Sequence, residues 1–233
     1  MRRNIGSCCY VTVGTGIGVG VYVNGGPVHG LVHPEAGHMM CPLYPGESQH
    51  FKGTCPFHGA CMEGMANSIS IAARKGIRSD ELPSLSDDDV AWEIEAHYLA
   101  HLCAILTLVV SPEVRPLPFY IVRRQLFAAA DACSRACPAM PIVPLITTAS
   151  VSLSLSLSST SAPSQVIVLG GGVPRRACLF PLIRKKFQDI LAHYVKHPKI
   201  LADVDKYIVP SIHGANSGII GAMEIARRAL VDE

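Results

Sequence analysis

The stretch from Gly37 to Glu63 constrains this chain most, because it holds four residues that suit a single metal ion. These residues follow the pattern H-x16-C-x2-H-x2-C and are His38, Cys55, His58 and Cys61. Zinc binds thiolate sulfur and imidazole nitrogen, and structural zinc sites are usually tetrahedral with four protein ligands. We therefore predict a structural Zn2+ site in residues 38–61, here called the knuckle. The alternative is a pair of buried free thiols beside surface histidines.

Composition places the chain among globular proteins and excludes several partner classes. Of its 233 residues, 49% are hydrophobic and 16% are charged, which is far from the composition of a disordered chain. A formal net charge of +2 gives no electrostatic case for a nucleic acid or a membrane surface as a partner. Nine cysteines at irregular spacing do not suit a secreted disulfide scaffold, and metal-binding thiols fit a reducing compartment. We therefore expect a cytoplasmic protein.

Two uncharged segments imitate targeting or membrane sequences but carry the wrong residues for either. Residues 4–29 contain repeated glycines, which a β-hairpin explains better than a signal peptide or a membrane span does. Residues 136–165 contain several prolines among many serines, and a membrane helix does not tolerate that composition. The sequence thus predicts no membrane segment.

The first part of the chain is predicted to be a β-hairpin followed by a third strand. Cys8–Val13 and Gly18–Val23 are β-rich runs joined by a turn at 14–17, and the third strand is expected near 28–32. The glycine spacing is wrong for a dinucleotide fingerprint, because a strand rather than a helix follows it. Two interpretations of the turn remain open: its N–H groups contact a phosphate, or its glycines serve only the backbone angles.

Further along, periodicity and capping residues predict the remaining elements. We expect helices over 62–74, from a Ser86 N-cap to about Val110, over 175–193 and over 216–229, with strands at 166–169 and 207–210. Residues 87–89 are all aspartate and are interpreted as a solvated first turn rather than a metal site. His97, His101 and the basic run 184–186 are expected on helix surfaces.

Two segments carry a family resemblance. Residues 10–38 (YVTVGTGIGVGVYVNGGPVHGLVHPEAGH) and 55–68 (CPFHGACMEGMANS) resemble the ROK family of sugar kinases and repressors. The knuckle C-P-F-H-x-x-C-x-E-G is similar to that of its fructokinase-type members. The resemblance implies an α/β fold, namely the ribonuclease-H-like half of an actin-like ATPase/sugar kinase, with the zinc knuckle inserted after the third strand.

The same resemblance implies an activity and a set of binding residues. The implied reaction is phosphorylation of fructose to fructose 6-phosphate, with ATP, Mg2+ and structural Zn2+ as cofactors. The implied sugar contacts are Glu35, His38 and Glu63, so that His38 serves both the metal and the sugar. The implied nucleotide contacts are Gly14, Thr15, Gly16, Gly170, Gly171, Gly214 and Asn216.

The sequence also departs from the family pattern. The family's D-x-G-G-T-type phosphate loop and its general-base aspartate belong to the first half of the kinase. This chain is expected to begin after both, so no residue is assigned a catalytic role. In place of a Ser-Gly-Pro after the knuckle the chain has Asn67-Ser68-Ile69, which puts the local helix start in question.

A segment without family counterpart interrupts the second half of the chain. Joining 1–113 to 166–233 gives a continuous family-type domain, SPE followed by VIVLGGGV. The intervening residues 114–165 include the low-complexity run VSLSLSLSSTSAPSQ. We expect them to be disordered, and to be either a translated intron or a genuine loop.

Three functional hypotheses follow. The first is an incompletely represented fructokinase that binds a hexose and MgATP and that forms a homodimer when complete. The second is a repressor fragment, which the fructokinase-type knuckle argues against. The third is a non-catalytic, zinc-stabilised module that binds a sugar or a partner protein.

Overall fold

The computed structural model describes residues 7–23, 26–47, 50–112 and 167–229. These residues all belong to one compact unit. The predicted insert at residues 114–165 lies outside the described residues.

A five-stranded mixed sheet forms the centre of the described fold. Its strands are β1 (Ser7–Val13), β2 (Ile17–Val23), β3 (Gly26–Pro27), β4 (Ile167–Gly170) and β5 (Ile208–Pro210), and their order across the sheet is β3-β2-β1-β4-β5. β1 and β2 are antiparallel, and the register joins Val13 to Ile17 across the predicted turn. β1 pairs in parallel with β4, and β4 pairs in parallel with β5. The predicted third strand is shorter and lies earlier than 28–32.

Seven α-helices are described, most of them between strands in the chain. The described α-helices are α1 (Met62–Met65), α2 (Ser68–Lys75), α3 (Val90–Val110), α4 (Leu179–Leu191), α5 (Pro198–Leu201), α6 (Val204–Tyr207) and α7 (Ser217–Ala229). Short 3-10 turns occupy Ala36–His38, Ser79–Ser84, Val173–Arg175 and Gly214–Asn216. The predicted helix over 62–74 is therefore two helices.

Alternation along the strands explains where the core lies. On β1, Cys9, Val11 and Val13 are buried while the residues between them are more exposed, so one face of the sheet is apolar. Buried residues of α3 and α4 pack in the same hydrophobic cluster as this face. α3 is long and apolar enough to span a membrane, but 56% of its most apolar window is buried inside the protein, as in a core helix.

Two helix starts differ from the prediction, and each has a local cause. Asp89, not Ser86, caps α3, because its carboxylate accepts from the Ala91 amide at 2.9 Å. The Ser86 carbonyl instead accepts from the Trp92 indole at 2.8 Å. Asn67 starts α2 with a reciprocal capping box with Ser70, so the departure from Ser-Gly-Pro gives a well-capped helix.

Two surface predictions are wrong in part. Arg184 of the basic run donates to the Ile208 carbonyl at 2.8 Å and to the Asp205 carbonyl at 3.2 Å, so it ties α4 to α6 and to the first residue of β5. His97 is half-buried, and its Nε2 donates to the Pro42 carbonyl at 2.9 Å. Burial lowers the pKa of His97, which keeps the imidazole neutral in this setting.

Candidate functional site

The four predicted metal ligands converge on one point. The ligand atoms of His38, Cys55, His58 and Cys61 all lie within 4.8 Å of one another, and we call these residues the metal group. Backbone contacts produce the convergence: the Met62 amide donates to the Met39 carbonyl at 2.9 Å, which draws the residues after His38 and Cys61 together. The 55–59 loop closes with the Gly59 amide donating to the Cys55 carbonyl at 3.0 Å.

Glycines allow the knuckle to close this tightly. A Cβ atom on Gly53 would lie 2.0 Å from the Gly59 carbonyl oxygen, and one on Gly64 would lie 1.9 Å from the same atom. The φ angles of Gly53 and Gly59 are +81° and +60°, a region that L side chains rarely adopt. The compact loop therefore requires glycine at these positions.

The donor distances fit a tetrahedral zinc ion. His38 Nδ1 lies 3.7 Å from Cys55 Sγ and 3.6 Å from Cys61 Sγ, and His58 Nδ1 lies 3.8 Å from Cys55 Sγ. Zinc bonds of about 2.3 Å to sulfur and about 2.0 Å to nitrogen place such a pair about 3.6 Å apart at a tetrahedral angle. Three of the six donor pairs therefore have about the spacing expected around zinc, and the other pairs lie within 4.8 Å.

The two thiols of the metal group differ in their electrostatics. Amide groups of His58 and Phe57 lower the pKa of Cys55 to about 7, because N–H donors stabilise the thiolate. Burial raises the pKa of Cys61, and the nearby Cys55 and Glu63 act in the same direction. The backbone thus favours the thiolate form of Cys55, whereas burial disfavours the thiolate form of Cys61.

Glu63 joins the metal group to the 14–17 turn. Its Oε2 accepts from the Ile17 amide at 2.9 Å, and its Oε1 lies 3.9 Å from His38 Nε2. Both side chains remain partly accessible, with 23% of Glu63 and 27% of His38 exposed. Two of the three predicted sugar contacts are thus neighbours that remain partly accessible.

The third predicted sugar contact has a different partner. The Glu35 carboxylate pairs with His33 at 2.7 Å, and about half of its side chain is exposed. The 3-10 turn that follows Glu35 carries Gly37 and His38, and a Cβ on Gly37 would lie 2.1 Å from the Ile17 carbonyl oxygen. The E-A-G-H segment therefore lies directly against the 14–17 turn.

Three of the predicted nucleotide residues line a cleft of about 340 Å³ at the carboxyl ends of β4 and β5. These are Gly170, Gly171 and Gly214. The cleft is also lined by Leu169, Pro174, Arg175, Ala177, Phe180, Arg184, Pro210 and Ser211. The carboxyl ends of parallel strands are where ligands bind in open α/β sheets.

The cleft and the 14–17 turn are adjacent. A Cβ on Gly171 would lie 2.2 Å from the carbonyl oxygen of Val13, the residue before the turn. Gly14, Thr15 and Gly16 do not line the cleft themselves, and Asn216 lies beside Gly214 in an exposed 3-10 turn. The structure thus places the seven predicted nucleotide residues around one end of the sheet.

Sequence reasoning missed several cleft residues. Arg175, Phe180, Arg184 and Ser211 belong to no local motif, and only the general rule about strand ends could have indicated Ser211. Arg184 was assigned to a solvated face because its sequence neighbours are lysines. Its actual role depends on carbonyl groups more than twenty residues away.

Comparison with known proteins supports the family resemblance. Residues 1–115 match the ROK family. A fructokinase of Streptococcus mutans serotype c is 30% identical over 229 residues, which covers 97% of this chain and 58% of that protein. A fructokinase of Zymomonas mobilis subsp. mobilis is 45% identical over 104 residues, which covers 45% of this chain and 34% of that protein. The chain thus spans somewhat more than half the length of the first of these relatives.

Solved structures agree on the fold. A ROK hexokinase from Thermus thermophilus has a TM-score of 0.55 at 18% identity, covering 94% of this chain and 56% of that one. A ROK family glucokinase from Streptomyces griseus, solved with glucose and AMPPNP, has a TM-score of 0.55 at 16% identity, covering 97% of this chain and 62% of that one. The predicted α/β fold is confirmed, since these ROK sugar kinases share it.

Proposed function

Because this chain contains a ROK family domain, we propose that it is part of a fructokinase-type sugar kinase that transfers a phosphoryl group from ATP to fructose. The observation that carries the proposal is the position of Glu63, in contact with the 14–17 turn and beside the metal group. One carboxylate there lies between a surface suited to hydroxyl groups and a turn suited to phosphate. Fructokinase-named relatives that match nearly the whole chain support fructose as the substrate.

Geometry supports a sugar hydroxyl at Glu63 and His38. Glu63 Oε1 and His38 Nε2 are 3.9 Å apart, so one hydroxyl oxygen can lie about 2.8 Å from both. The hydroxyl would donate to the carboxylate and accept from the imidazole N–H. Glu35 is proposed to contact a second hydroxyl, in exchange for its pairing with His33.

The nucleotide is proposed to occupy the cleft and to extend toward the 14–17 turn. Gly170, Gly171 and Gly214 would present backbone to the adenosine, and Gly214 has open space where a side chain would otherwise begin. Gly14, Thr15 and Gly16 would offer N–H groups to phosphate oxygens, and Asn216 would add a polar contact. Phosphoryl transfer is mainly positioning and charge neutralisation, and Mg2+ bound to ATP supplies part of the neutralisation.

Zinc is proposed to be structural. His38, Cys55, His58 and Cys61 fill all four tetrahedral positions, which leaves no open position for a substrate. Zinc so held fixes the segment that carries His38 and Glu63. The thiol ligands require a reducing setting, so we propose a cytoplasmic location, and we expect a homodimer of the complete protein.

The zinc assignment is tested by metal analysis of Cys55→Ser and Cys61→Ser. We expect both variants to lose stoichiometric zinc and to unfold locally at the knuckle, because structural zinc contributes directly to folding. Cys178→Ser is the matched control, since Cys178 precedes α4 and is not part of the metal group. Full zinc content in all three variants would refute the ligand set.

The sugar assignment is tested by calorimetric titration of fructose, mannose and glucose into the zinc-loaded chain. We expect fructose to bind most tightly and Glu63→Gln to weaken it by about tenfold or more, as for the loss of a hydrogen bond to a charged group. Glu81→Gln is the control, because Glu81 lies in the 3-10 turn at 79–84 and is not one of the predicted sugar contacts. Equal affinity of the wild type and Glu63→Gln would remove Glu63 from the site.

Catalysis is tested by sequencing the mature transcript and assaying its product for ATP-dependent phosphorylation of fructose. The fructokinase proposal expects a coding sequence for the D-x-G-G-T-type loop and turnover by the encoded protein. Fructose binding without turnover by that protein would instead favour the non-catalytic, zinc-stabilised module.

A further inference from the structure

The two oxygens of the Glu63 carboxylate face two different predicted sites. Oε2 accepts from the Ile17 amide at 2.9 Å, at the end of the 14–17 turn. Oε1 lies 3.9 Å from His38 Nε2, within ion-pair range of the metal group. Since only 23% of the Glu63 side chain is exposed, solvent screens these interactions less than it screens a surface carboxylate. The carboxylate is therefore a direct physical link between the two sites.

On the metal side, the link passes through one imidazole ring. His38 presents Nδ1 to the sulfur atoms of Cys55 and Cys61, at 3.7 and 3.6 Å, which leaves Nε2 facing Glu63. A metal-bound histidine usually donates its other ring N–H to a carboxylate or a carbonyl, which fixes the orientation of both groups. A metal bound at Nδ1 would also draw electrons from the ring and strengthen the attraction of Nε2–H for Oε1.

On the turn side, the link meets a tightly packed backbone. A Cβ on Gly16 would lie 2.7 Å from Glu63 Oε2, so the carboxylate lies directly against the turn. The Ser68 amide holds the other end of the turn by donating to the Gly14 carbonyl at 2.7 Å. A displacement of the Glu63 carboxylate would therefore displace Gly16 and Ile17, while Ser68 keeps Gly14 in place.

From these contacts we infer that Glu63 is a positioning residue that couples the metal group to the 14–17 turn. Metal bound at the group orients His38, His38 orients the Glu63 carboxylate, and the carboxylate holds the Ile17 amide. Its consequence for ATP rests on the proposed function: a turn held in this way is preorganised for phosphate. The coupling is reciprocal: the factor by which bound metal strengthens phosphate binding at the turn equals the factor by which bound phosphate strengthens metal binding.

The coupling is tested by hydrogen exchange of single amides, followed by NMR on the full chain with and without zinc. The Ser68 amide is the internal reference, because it bonds to the same turn without involving Glu63. In the wild type, we expect zinc to slow exchange at Ile17 at least about tenfold more than at Ser68, in line with a hydrogen bond to a charged group. In Glu63→Ala this excess should disappear.

Two further variants make the test specific. Glu63→Gln keeps an oxygen for the Ile17 amide but presents no charge to His38, so Ile17 should stay protected while the zinc-dependent excess falls. Glu35→Gln makes the same chemical change at a carboxylate that pairs with His33, and this variant should retain the wild-type excess. If Glu63→Ala does not fold, the comparison of Glu63→Gln with Glu35→Gln is sufficient to decide whether the charge of Glu63 carries the effect of zinc to Ile17.

The inference is overturned if zinc slows exchange at Ile17 no more than at Ser68 in the wild type. It is also overturned if the additional slowing at Ile17 is equal in Glu63→Gln and the wild type. None of these measurements involves a sugar or a nucleotide. A titration with ADP therefore tests the proposed function separately. If zinc still slows exchange at Ile17 more than at Ser68 but ADP does not bind, the coupling stands and the proposed nucleotide site is refuted.

Discussion

Glu95 is the one buried carboxylate whose two oxygens have no hydrogen-bond partner among the described residues. It lies on the core side of α3, between Trp92 and Tyr98. Burial raises its pKa to about 8, against an ordinary value of 4.5, and the positive charge of Arg74 offsets only part of this effect. The folded protein therefore holds this carboxyl group protonated near neutral pH.

This gives a prediction about pH and stability. Between about pH 4.5 and pH 8, the folded state binds a proton at Glu95 that the unfolded chain has released, so the free energy of unfolding falls as pH rises. The slope from this group is at most about 1.4 kcal/mol per pH unit. In Glu95→Gln we expect no such decrease. The free energy of unfolding of the variant should therefore rise steadily relative to that of the wild type from pH 5 to pH 8.

Urea unfolding of both proteins at several pH values measures the difference. Glu93→Gln is the matched control, because Glu93 lies on the same helix, is 41% exposed and pairs with Lys186. A constant stability difference between Glu95→Gln and wild type over this pH range would contradict a raised pKa.

The glycines after β4 allow a second prediction, because a side chain fits at Gly172 but not at Gly171. Gly171 has a φ of +95°, and a Cβ there would lie 2.2 Å from the Val13 carbonyl oxygen. Gly172 has helical angles of −75° and −42°, with nothing within 4 Å of a Cβ. We expect Gly171→Ala to lower the free energy of unfolding by about 2–4 kcal/mol, from backbone strain and overpacking together.

Gly172→Ala is the control for that substitution and should be neutral or stabilising by up to about 1 kcal/mol. Chemical denaturation of the two variants checks both values. If the two substitutions have equal effects, Gly171 does not approach β1 as closely as described.

Among the elements, the part of the knuckle between His38 and Cys55 is held by a buried ion pair that no local pattern indicates. Arg74 on α2 donates to the Glu47 carboxylate through Nε at 3.1 Å and Nη2 at 2.8 Å, and both side chains are more than nine-tenths buried. The Tyr98 hydroxyl of α3 donates to the same carboxylate at 3.0 Å. Arg74 also donates to the Met65 carbonyl at 2.7 Å, at the end of the helix that carries Glu63.

Breaking this pair should cost far more than breaking a surface pair. We expect Glu47→Ala to lower the free energy of unfolding by about 3–5 kcal/mol, because it leaves the Arg74 guanidinium buried without its counter-ion. Asp80→Ala, which removes the exposed partner of Arg78, should cost at most about 1 kcal/mol. Thermal unfolding compares the two variants, and similar losses would show that the Glu47 pair is not buried in solution.

The secondary structure of most elements was predictable, whereas their ends were not. Strand alternation gave β1 and β2 almost residue for residue, because one buried face imposes a period of two. The start of α3 was misplaced by a few residues because any of Ser86 to Asp89 can cap a helix. Contacts with Ala91 and Trp92 select Asp89, and these depend on how the helix packs.

At the scale of the whole molecule, the boundaries 1–113 and 166–233 remain a prediction. Deletion of 114–165 should leave the cooperative unfolding transition unchanged, because the core elements lie in 7–112 and 167–229. The shortened connection between α3 and β4 would then have an ordinary length for a compact domain. Calorimetry of the deletion and the full chain measures this, and a deletion that fails to fold would assign the segment a structural role.

The sequence alone indicated the metal group, the hairpin and the resemblance to the ROK family, since each rests on spacing within a short segment or on a long motif. The four residues of the metal group stand out in the sequence because zinc restricts residue type and spacing together. Only the tertiary structure decided which groups meet across the chain. Glu63 and Ile17 are 46 residues apart, and Glu47 and Arg74 are 27 apart. The packing of whole elements makes such contacts, and the local periodicity that predicts the elements does not specify them.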